Sequence, residues 1–327
     1  MHAVVARQAG GPEVLSYTEL PDPTPRPGQL LVRVAAAGVN FIDTYRRAGV
    51  YPMEYPHVVG AEGAGIVEAL GEEVTGFAVG DRVAWHSGPG SYAELVAVDA
   101  AGVVPVPRGL DLTIAAALPL QGITAHYLVR STFEVGPGHD ILLHAGAGGV
   151  GLLATQLAVA RGGRVLTTVS TPEKAALSSA AGAAHTINYA ELADITTELP
   201  ALVRELTDGQ GVHVVYDGVG KTTFEASLAS LRPRGMLVLF GGASGQVPPF
   251  DPQRLNKAGS LFLTRPTITH HTLTRSELEW RTSEVLGSAA SGDLDVRVGA
   301  TYSLSDAAAA HQALESRATT GKVLLIP

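Results

Sequence analysis

The stretch Asp140-Ile141-Leu142-Leu143-His144-Ala145-Gly146-Ala147-Gly148-Gly149-Val150-Gly151 decides the fold. An apolar run of strand length leads into Gly146, Gly148 and Gly151, which stand in G-x-G-x-x-G spacing. Helical periodicity follows from about Val150 to Arg161. The pattern alone says little in a chain with 38 glycines, but its place between a strand and a helix gives it meaning. The backbone must turn sharply, approach a pyrophosphate closely and then let the helix pack on the strand. The helix N-terminus adds free N–H groups for the phosphate. The competing reading is a glycine-rich turn with no ligand.

Outward from this stretch, strands alternate with helix-length segments. Arg164–Val169, His185–Asn188, Val212–Asp217, Met236–Phe240 and Ser260–Thr264 continue the series. Strands covered on both faces read as unbroken apolar runs, and six with intervening helices predict a doubly wound parallel sheet, an α/β Rossmann domain. The end of the second strand bears on the cofactor. An NAD site places Asp or Glu there for the ribose hydroxyls. This chain has Ser170 at that place and Lys174 one helical turn further on. A hydroxyl and an ammonium suit a 2′-phosphate, so NADPH is expected. Glu173 stands beside them, and Ser170 with Glu173 could be a capping box and Thr171-Pro172 a helix start with Pro at N1, which is compatible with a ligand contact.

The first third is different. Leu30–Val34, Gly65–Leu70 and Arg82–Trp85 are short apolar runs separated by Gly- and Pro-rich turns, which predicts a β-rich barrel or sandwich. The tail has helical stretches around Glu277–Ala290 and Ser305–Ser316 and a closing strand at Lys322–Ile326, and is expected to pack back onto the N-terminal part. At 327 residues, two domains are expected. A hydrophobic fraction of 46% supports packed cores, and a net charge of -8 argues mildly against a nucleic-acid binder. No cysteine is present, so neither a disulfide nor a thiolate ligand can form. No apolar run is long enough to span a membrane and the start does not read as a signal peptide, so a cytoplasmic protein is the default.

Gly11–Leu15, Gly38-Val39-Asn40-Phe41-Ile42-Asp43-Thr44-Tyr45, Gly80–Val83, His144–Gly151, Tyr216–Gly220 and Glu315–Thr319 together resemble the quinone oxidoreductases of the medium-chain dehydrogenase/reductase superfamily, the zeta-crystallin-like branch. The resemblance covers essentially the whole chain. It implies a GroES-like β-rich catalytic domain made of residues 1–121 and 265–327 around a Rossmann NADPH-binding domain at 122–264. Zinc alcohol dehydrogenases of the same superfamily carry a Cys where Asn40 stands. They carry a His in a Gly-His-Glu motif where this chain has Gly60-Ala61-Glu62. No metal is therefore expected at that site, which needs about three protein ligands. The adjacent pair His270-His271 reads as surface residues.

Asn40 and Tyr45 replace the metal-bearing segment and are the catalytic candidates. Asn40 could donate to a carbonyl oxygen, or support the loop backbone; Tyr45 could donate a hydrogen bond or a proton, or line a wall. Beyond Gly146, Gly148, Gly149, Val150, Gly151, Ser170 and Lys174, the resemblance implies cofactor contacts at Thr124, Tyr189, Val219, Phe240, Gly241, Ser244, Thr264, Arg265 and Arg317. It implies transfer of reducing equivalents from NADPH to a quinone, or alternatively reduction of an enone or alkenal. A binding role as a crystallin-like or RNA-binding protein is the non-catalytic alternative. A homodimer is implied too, paired through the last Rossmann strand, Ser260–Thr264.

Overall fold

The computed structural model describes residues 1–327. The chain divides into Met1–Ile123 with Thr272–Pro327, and Thr124–His271. The N-terminal part carries β1 (His2–Ala6), β2 (Leu15–Glu19), β3 (Gln29–Val39), β4 (His57–Val58), β5 (Glu62–Leu70), β6 (Arg82–Trp85), β7 (Leu95–Asp99) and β8 (Val103–Pro105). Helix α1 (Phe41–Arg47) follows β3 directly; α2 (Leu112–Ala116) and α3 (Pro119–Tyr127) follow β8.

The strand β3 is longer than its β-branched run foretells. It continues through Ala35-Ala36-Ala37-Gly38 to Val39. Alanine and glycine are poor strand formers by propensity, so this half is set by packing instead. Ala36 and Ala37 are fully buried. At Gly38 a Cβ would lie 2.2 Å from Glu62 Oε2 and 2.8 Å from Lys322 Cε, so neighbouring side chains occupy the space that glycine leaves.

The second unit is a six-stranded sheet of β9 (Asp140–Leu143), β10 (Arg164–Val169), β11 (His185–Asn188), β12 (Val212–Asp217), β13 (Leu231–Leu239) and β14 (Phe262–Thr264). All neighbours are parallel. The spatial order β11-β10-β9-β12-β13-β14 is the Rossmann order, with the strand order reversing between β9 and β12, where such sheets bind ligands. Helices α4 (Gly149–Ala160), α5 (Pro172–Ala180), α6 (Ile195–Leu206), α7 (Phe224–Ala229) and α8 (Gln253–Lys257) connect the strands. Its core joins Leu142, Leu166, Val215 and Leu237 of the strands to Leu199 and Val203 of α6. Two boundaries differ from the sequence pattern. β13 begins at Leu231, with its pairing to β12 interrupted between Val212 and Val214. β14 begins at Phe262, because Ser260 adopts a left-handed φ of 56° that breaks an extended strand.

The tail returns to the first unit. Helix α9 (Arg275–Ser291) is opened by a capping box between Thr274 and Glu277 and closed by Gly292 in the left-handed region. After β15 (Val298–Ser303) and α10 (Ala307–Glu315), the last strand β16 (Lys322–Ile326) pairs antiparallel with β3. The result is a seven-stranded sheet, β15-β16-β3-β5-β6-β8 with β7 on β3. Val32, Val34, Val83, Trp85 and Tyr92 of the N-terminal part share one core with Ala310 and Leu314 of α10 and Val323 and Leu325 of β16.

Candidate active site

The first unit holds its polar centre on one face of the sheet. Gly38 of β3 is opposite Glu62 of β5, and Val323 of β16 is opposite Val39. The next step of that register sets Lys322 beside Asn40. Glu62 is fully buried and Lys322 is 1% exposed. Their side chains form an ion pair, Lys322 Nζ against Glu62 Oε2. Asn40 completes the group: its amide nitrogen donates to Glu62 Oε2 (2.7 Å) and to Gly38 O (3.2 Å), and its Oδ1 accepts from Lys322 Nζ (2.8 Å). Glu62 Oε1 accepts the Leu120 N–H at 2.7 Å. Both amide hydrogens of Asn40 are therefore spent. None is left for a substrate carbonyl, and the supporting role is the one its bonds describe.

A second buried network fixes α1. Asn40 is its N-cap, and the Asn40 N–H donates to Asp43 Oδ2 at 2.9 Å. Tyr92 donates its hydroxyl to the same oxygen at 3.1 Å. Beyond Tyr92 lies His311 Nε2 (3.2 Å), and Arg47 Nη1 lies 2.9 Å from His311 Nδ1. Arginine can only donate, so Nδ1 accepts and Nε2 carries the hydrogen toward Tyr92. Burial, and then the Arg47 charge, push the His311 imidazole down to about 3, which keeps it in that neutral form. Burial raises Asp43 to about 6, and its Oδ1 has no partner. Arg47 ends the chain on Glu315 at 2.7 Å. Tyr45 sits half-buried on α1, with the Phe41 ring 6.1 Å and the Tyr51 ring 6.0 Å away. Neither Glu62 nor Lys322 announces itself in the sequence as part of this centre. The one signal was the Gly60-Ala61-Glu62 position.

In the second unit the glycine loop is sterically committed. A Cβ at Gly146 would lie 2.5 Å from Thr167 Cβ, and one at Gly151 would lie 2.3 Å from Ala145 O. Gly148 is the N-cap of α4, which no side chain caps, so its first N–H groups, from Gly149 and Val150 on, are available to an anion. The α5 terminus is different: Thr171 is its cap, accepting the Lys174 N–H at 3.3 Å, with Pro172 in the first turn. The Ser170–Glu173 capping box is thus not formed. Ser170 Oγ instead meets Lys174 Nζ at 3.3 Å, so the two residues that suit a 2′-phosphate stand together.

At the ends of β12 and β13 the buried Asp217 organises the loops. It accepts from the Val219 and Gly220 N–H groups and from Thr223 and Ser227 hydroxyls. Ser227 also meets His144 Nε2 at 2.9 Å, while His144 Nδ1 meets Thr168 Oγ1 at 3.0 Å. Since Ser227 spends its hydrogen on Asp217, His144 donates from Nε2; burial keeps its imidazole neutral by lowering its pKa. Ser244 ties to Val219 O through its N–H and hydroxyl, each at 2.8 Å, and Gly241 passes so close to Gly218 O that a Cβ would lie 2.4 Å away. Phe240 covers Gly218. Val219, Phe240, Gly241 and Ser244 are therefore brought together. Tyr189 follows β11, half-buried, at the far side of the sheet from Thr264, which ends β14. Arg265 is exposed beyond it. Thr124 is buried on α3, whereas Arg317 belongs to the first unit, exposed after α10. His271 stacks on Tyr127 at 4.3 Å, and no group of three or more His, Cys, Asp or Glu is arranged to hold a metal.

A β-rich unit assembled from both ends of the chain, with a Rossmann unit between them, defines a medium-chain dehydrogenase/reductase. The alcohol dehydrogenase GroES-like domain family matches residues 26–108, and the zinc-binding dehydrogenase family matches residues 149–286. A quinone oxidoreductase of Pseudomonas aeruginosa is 46% identical over 97% of each chain. A 2-haloacrylate reductase of a Burkholderia species is 42% identical over 99% of this chain and 98% of its own. A mycobacterial protein solved in complex with NADPH superposes with a TM-score of 0.97 at 51% identity, over the whole of both chains. The chain belongs to the quinone oxidoreductase family of that superfamily.

The Lys322–Glu62 pair makes a direct prediction. Lys322→Met strands a buried carboxylate and is expected to cost about 3–5 kcal/mol in chemical denaturation. Adding Glu62→Gln to it should recover most of that loss. A double variant as unstable as the single would mean that packing, not charge, holds this centre.

Proposed function

We propose that the protein is an NADPH-dependent quinone oxidoreductase, a cytoplasmic homodimer that reduces its acceptor without a metal ion. The observation that carries this reading is the Lys322 ammonium fixed between Glu62 and Asn40. Asn40 stands where metal-using members of the superfamily carry a ligand. A positive charge held there repels a divalent cation, and without a Lewis acid an alcohol lacks the stabiliser its alkoxide requires. An electron-poor carbonyl compound such as a quinone needs no such help to accept hydride at carbon.

NADPH, when bound, supplies the hydride. Gly146, Gly148 and Gly151 let the pyrophosphate approach the α4 terminus, and Ser170 with Lys174 holds the 2′-phosphate. Tyr189 flanks the adenosine, and Val219, Phe240, Gly241 and Ser244 bound the strand ends where the dinucleotide lies. Thr124, Thr264, Arg265 and Arg317 are its further contacts. Tyr45, with Phe41 and Tyr51, offers an aromatic wall to a flat ring, and its hydroxyl orients the carbonyl. Asn40, Glu62 and Lys322 are positioning residues that hold α1, and so Tyr45, in place. The likeness to a 2-haloacrylate reductase favours α,β-unsaturated acids and carbonyls as the second acceptor class. Dimerisation is assigned to β14. Phe262 and Leu263 are 56% and 36% exposed on this edge strand, whose open N–H and C=O groups suit pairing with a symmetry mate. No helix is long and apolar enough to cross a membrane.

NADPH oxidation with 9,10-phenanthrenequinone, run against NADH and with chelator throughout, tests the chemistry. Turnover with NADPH, little with NADH and no loss to chelator is expected. Ser170→Asp with Lys174→Ala should lower kcat/KM for NADPH by about tenfold to a hundredfold, through lost charged hydrogen bonds. Equal wild-type use of NADH would overturn the phosphate site. Turnover of 2-alkenoates alone would shift the reading to the second class. For the edge strand, sedimentation should give a dimer for the wild type and a monomer for Phe262→Lys with Leu263→Lys; a monomeric wild type would exclude the pairing.

A further inference from the structure

His86 follows β6 directly. The antiparallel register pairs Gly63 with Trp85, so its next step sets His86 across from Glu62. Residues opposed in this way carry their side chains on the same face of the sheet, here the face that bears Asn40, Glu62 and Lys322. His86 is only 6% exposed. Its Nδ1 is enclosed with no hydrogen-bond partner. This is unusual. A buried polar atom nearly always has a partner, and leaving one unsatisfied costs about 1–3 kcal/mol. Two other buried imidazoles obey the rule: His311 and His144 are each bonded at both nitrogens. Burial lowers the His86 pKa despite the nearby Glu62 carboxylate, so the ring is neutral and carries one N–H.

A second orphan stands next in the chain to a residue bonded to Glu62. Gln121 Oε1 is likewise buried without a partner. It follows Leu120, whose N–H is bonded to Glu62 Oε1. Asn40, Glu62 and Lys322 are each bonded to the other two, and Asn40 and Glu62 also to the backbone of Gly38 and Leu120. His86 Nδ1 and Gln121 Oε1, by contrast, are buried with no partner.

We propose that His86 is a substrate-contacting residue, whose imidazole N–H donates to a carbonyl oxygen of the quinone, with Gln121 Oε1 accepting from the hydroxyl which that oxygen becomes on reduction. The inference rests on the quinone reductase reading and deepens it. One donor and one acceptor match a group that enters as a carbonyl and leaves as a hydroxyl. A hydrocarbon ring without oxygen would leave both atoms unpaired, so the pair selects for an oxygen-bearing edge.

Three variants test it: His86→Phe, His86→Asn and His86→Gln. Asparagine keeps a polar group near the Nδ1 position, and glutamine near Nε2. The phenyl variant is expected to raise KM for the quinone about tenfold, the value of one hydrogen bond, with NADPH affinity unchanged and Tm not lowered. Either polar variant should recover much of that loss. A turnover-independent readout is at hand in Trp85, the neighbour of His86. Trp280→Phe removes the chain's one other tryptophan, and quinone-dependent quenching then reports binding. Its midpoint should move with the His86 variants. Quenching that shifts about tenfold in a protein showing no turnover supports the contact and sinks the reductase reading alone. Wild-type turnover with a fully active His86→Phe overturns the contact alone. An equal loss in all three variants, together with weaker NADPH binding or a lower Tm, also overturns it, by assigning His86 to structure.

Discussion

An ammonium and a carboxylate, both withdrawn from water, hold the first unit together. Lys322 comes from the last strand and Glu62 from the first half of the chain. Each would be strongly disfavoured alone in this interior, so neither strand can leave without stranding the other's charge. Their meeting fixes the register of β16 on β3. It explains why position 38 is glycine, and it seats Asn40 at the cap of α1. Everything that α1 carries, Tyr45 included, is aimed by this contact.

The same pair gives the centre its chemical character. A fixed positive charge stands among groups that a metal would otherwise organise, held by Asn40 and Glu62. The relay from Arg47 through His311 and Tyr92 to Asp43 has one consistent direction of donation, because arginine cannot accept. In the second unit, Asp217 plays the comparable part with uncharged partners, gathering backbone and hydroxyl donors so that the strand-end loops keep their shape. Polar networks of this extent rigidify what they hold, while Asp43 Oδ1, His86 Nδ1 and Gln121 Oε1 are buried without a partner.

The Rossmann unit was the more legible half. Its strands are buried on both faces and read as apolar runs, and the loop glycines follow from close approaches within a few residues or between adjacent strands. Ser170 and Lys174 were also readable, since one helical turn separates them; of the two helix-start signals there, the Thr171-Pro172 start formed and the Ser170–Glu173 capping box did not. The β-rich unit was harder. Four of the eleven residues of β3 are alanine or glycine, with no strand propensity to declare them. Asn40 was visible as a departure from the metal-binding pattern, but its bonds turn it inward instead of toward a substrate.

The sequence by itself determined the alternation of strands and helices, the glycine loop, the lack of cysteine ligands and the place where a carboxylate is missing from the second strand's end. These are local patterns, written in periodicity and spacing of a few residues. Only the tertiary structure decided what fills the centre of the first unit. Lys322 opens an apolar strand and looks like any charge at a strand's edge. Nothing near it in the chain says that it will be 1% exposed against Glu62, 260 residues away. A buried ion pair is a property of two distant positions and the register that joins them, and register is fixed when the whole sheet packs.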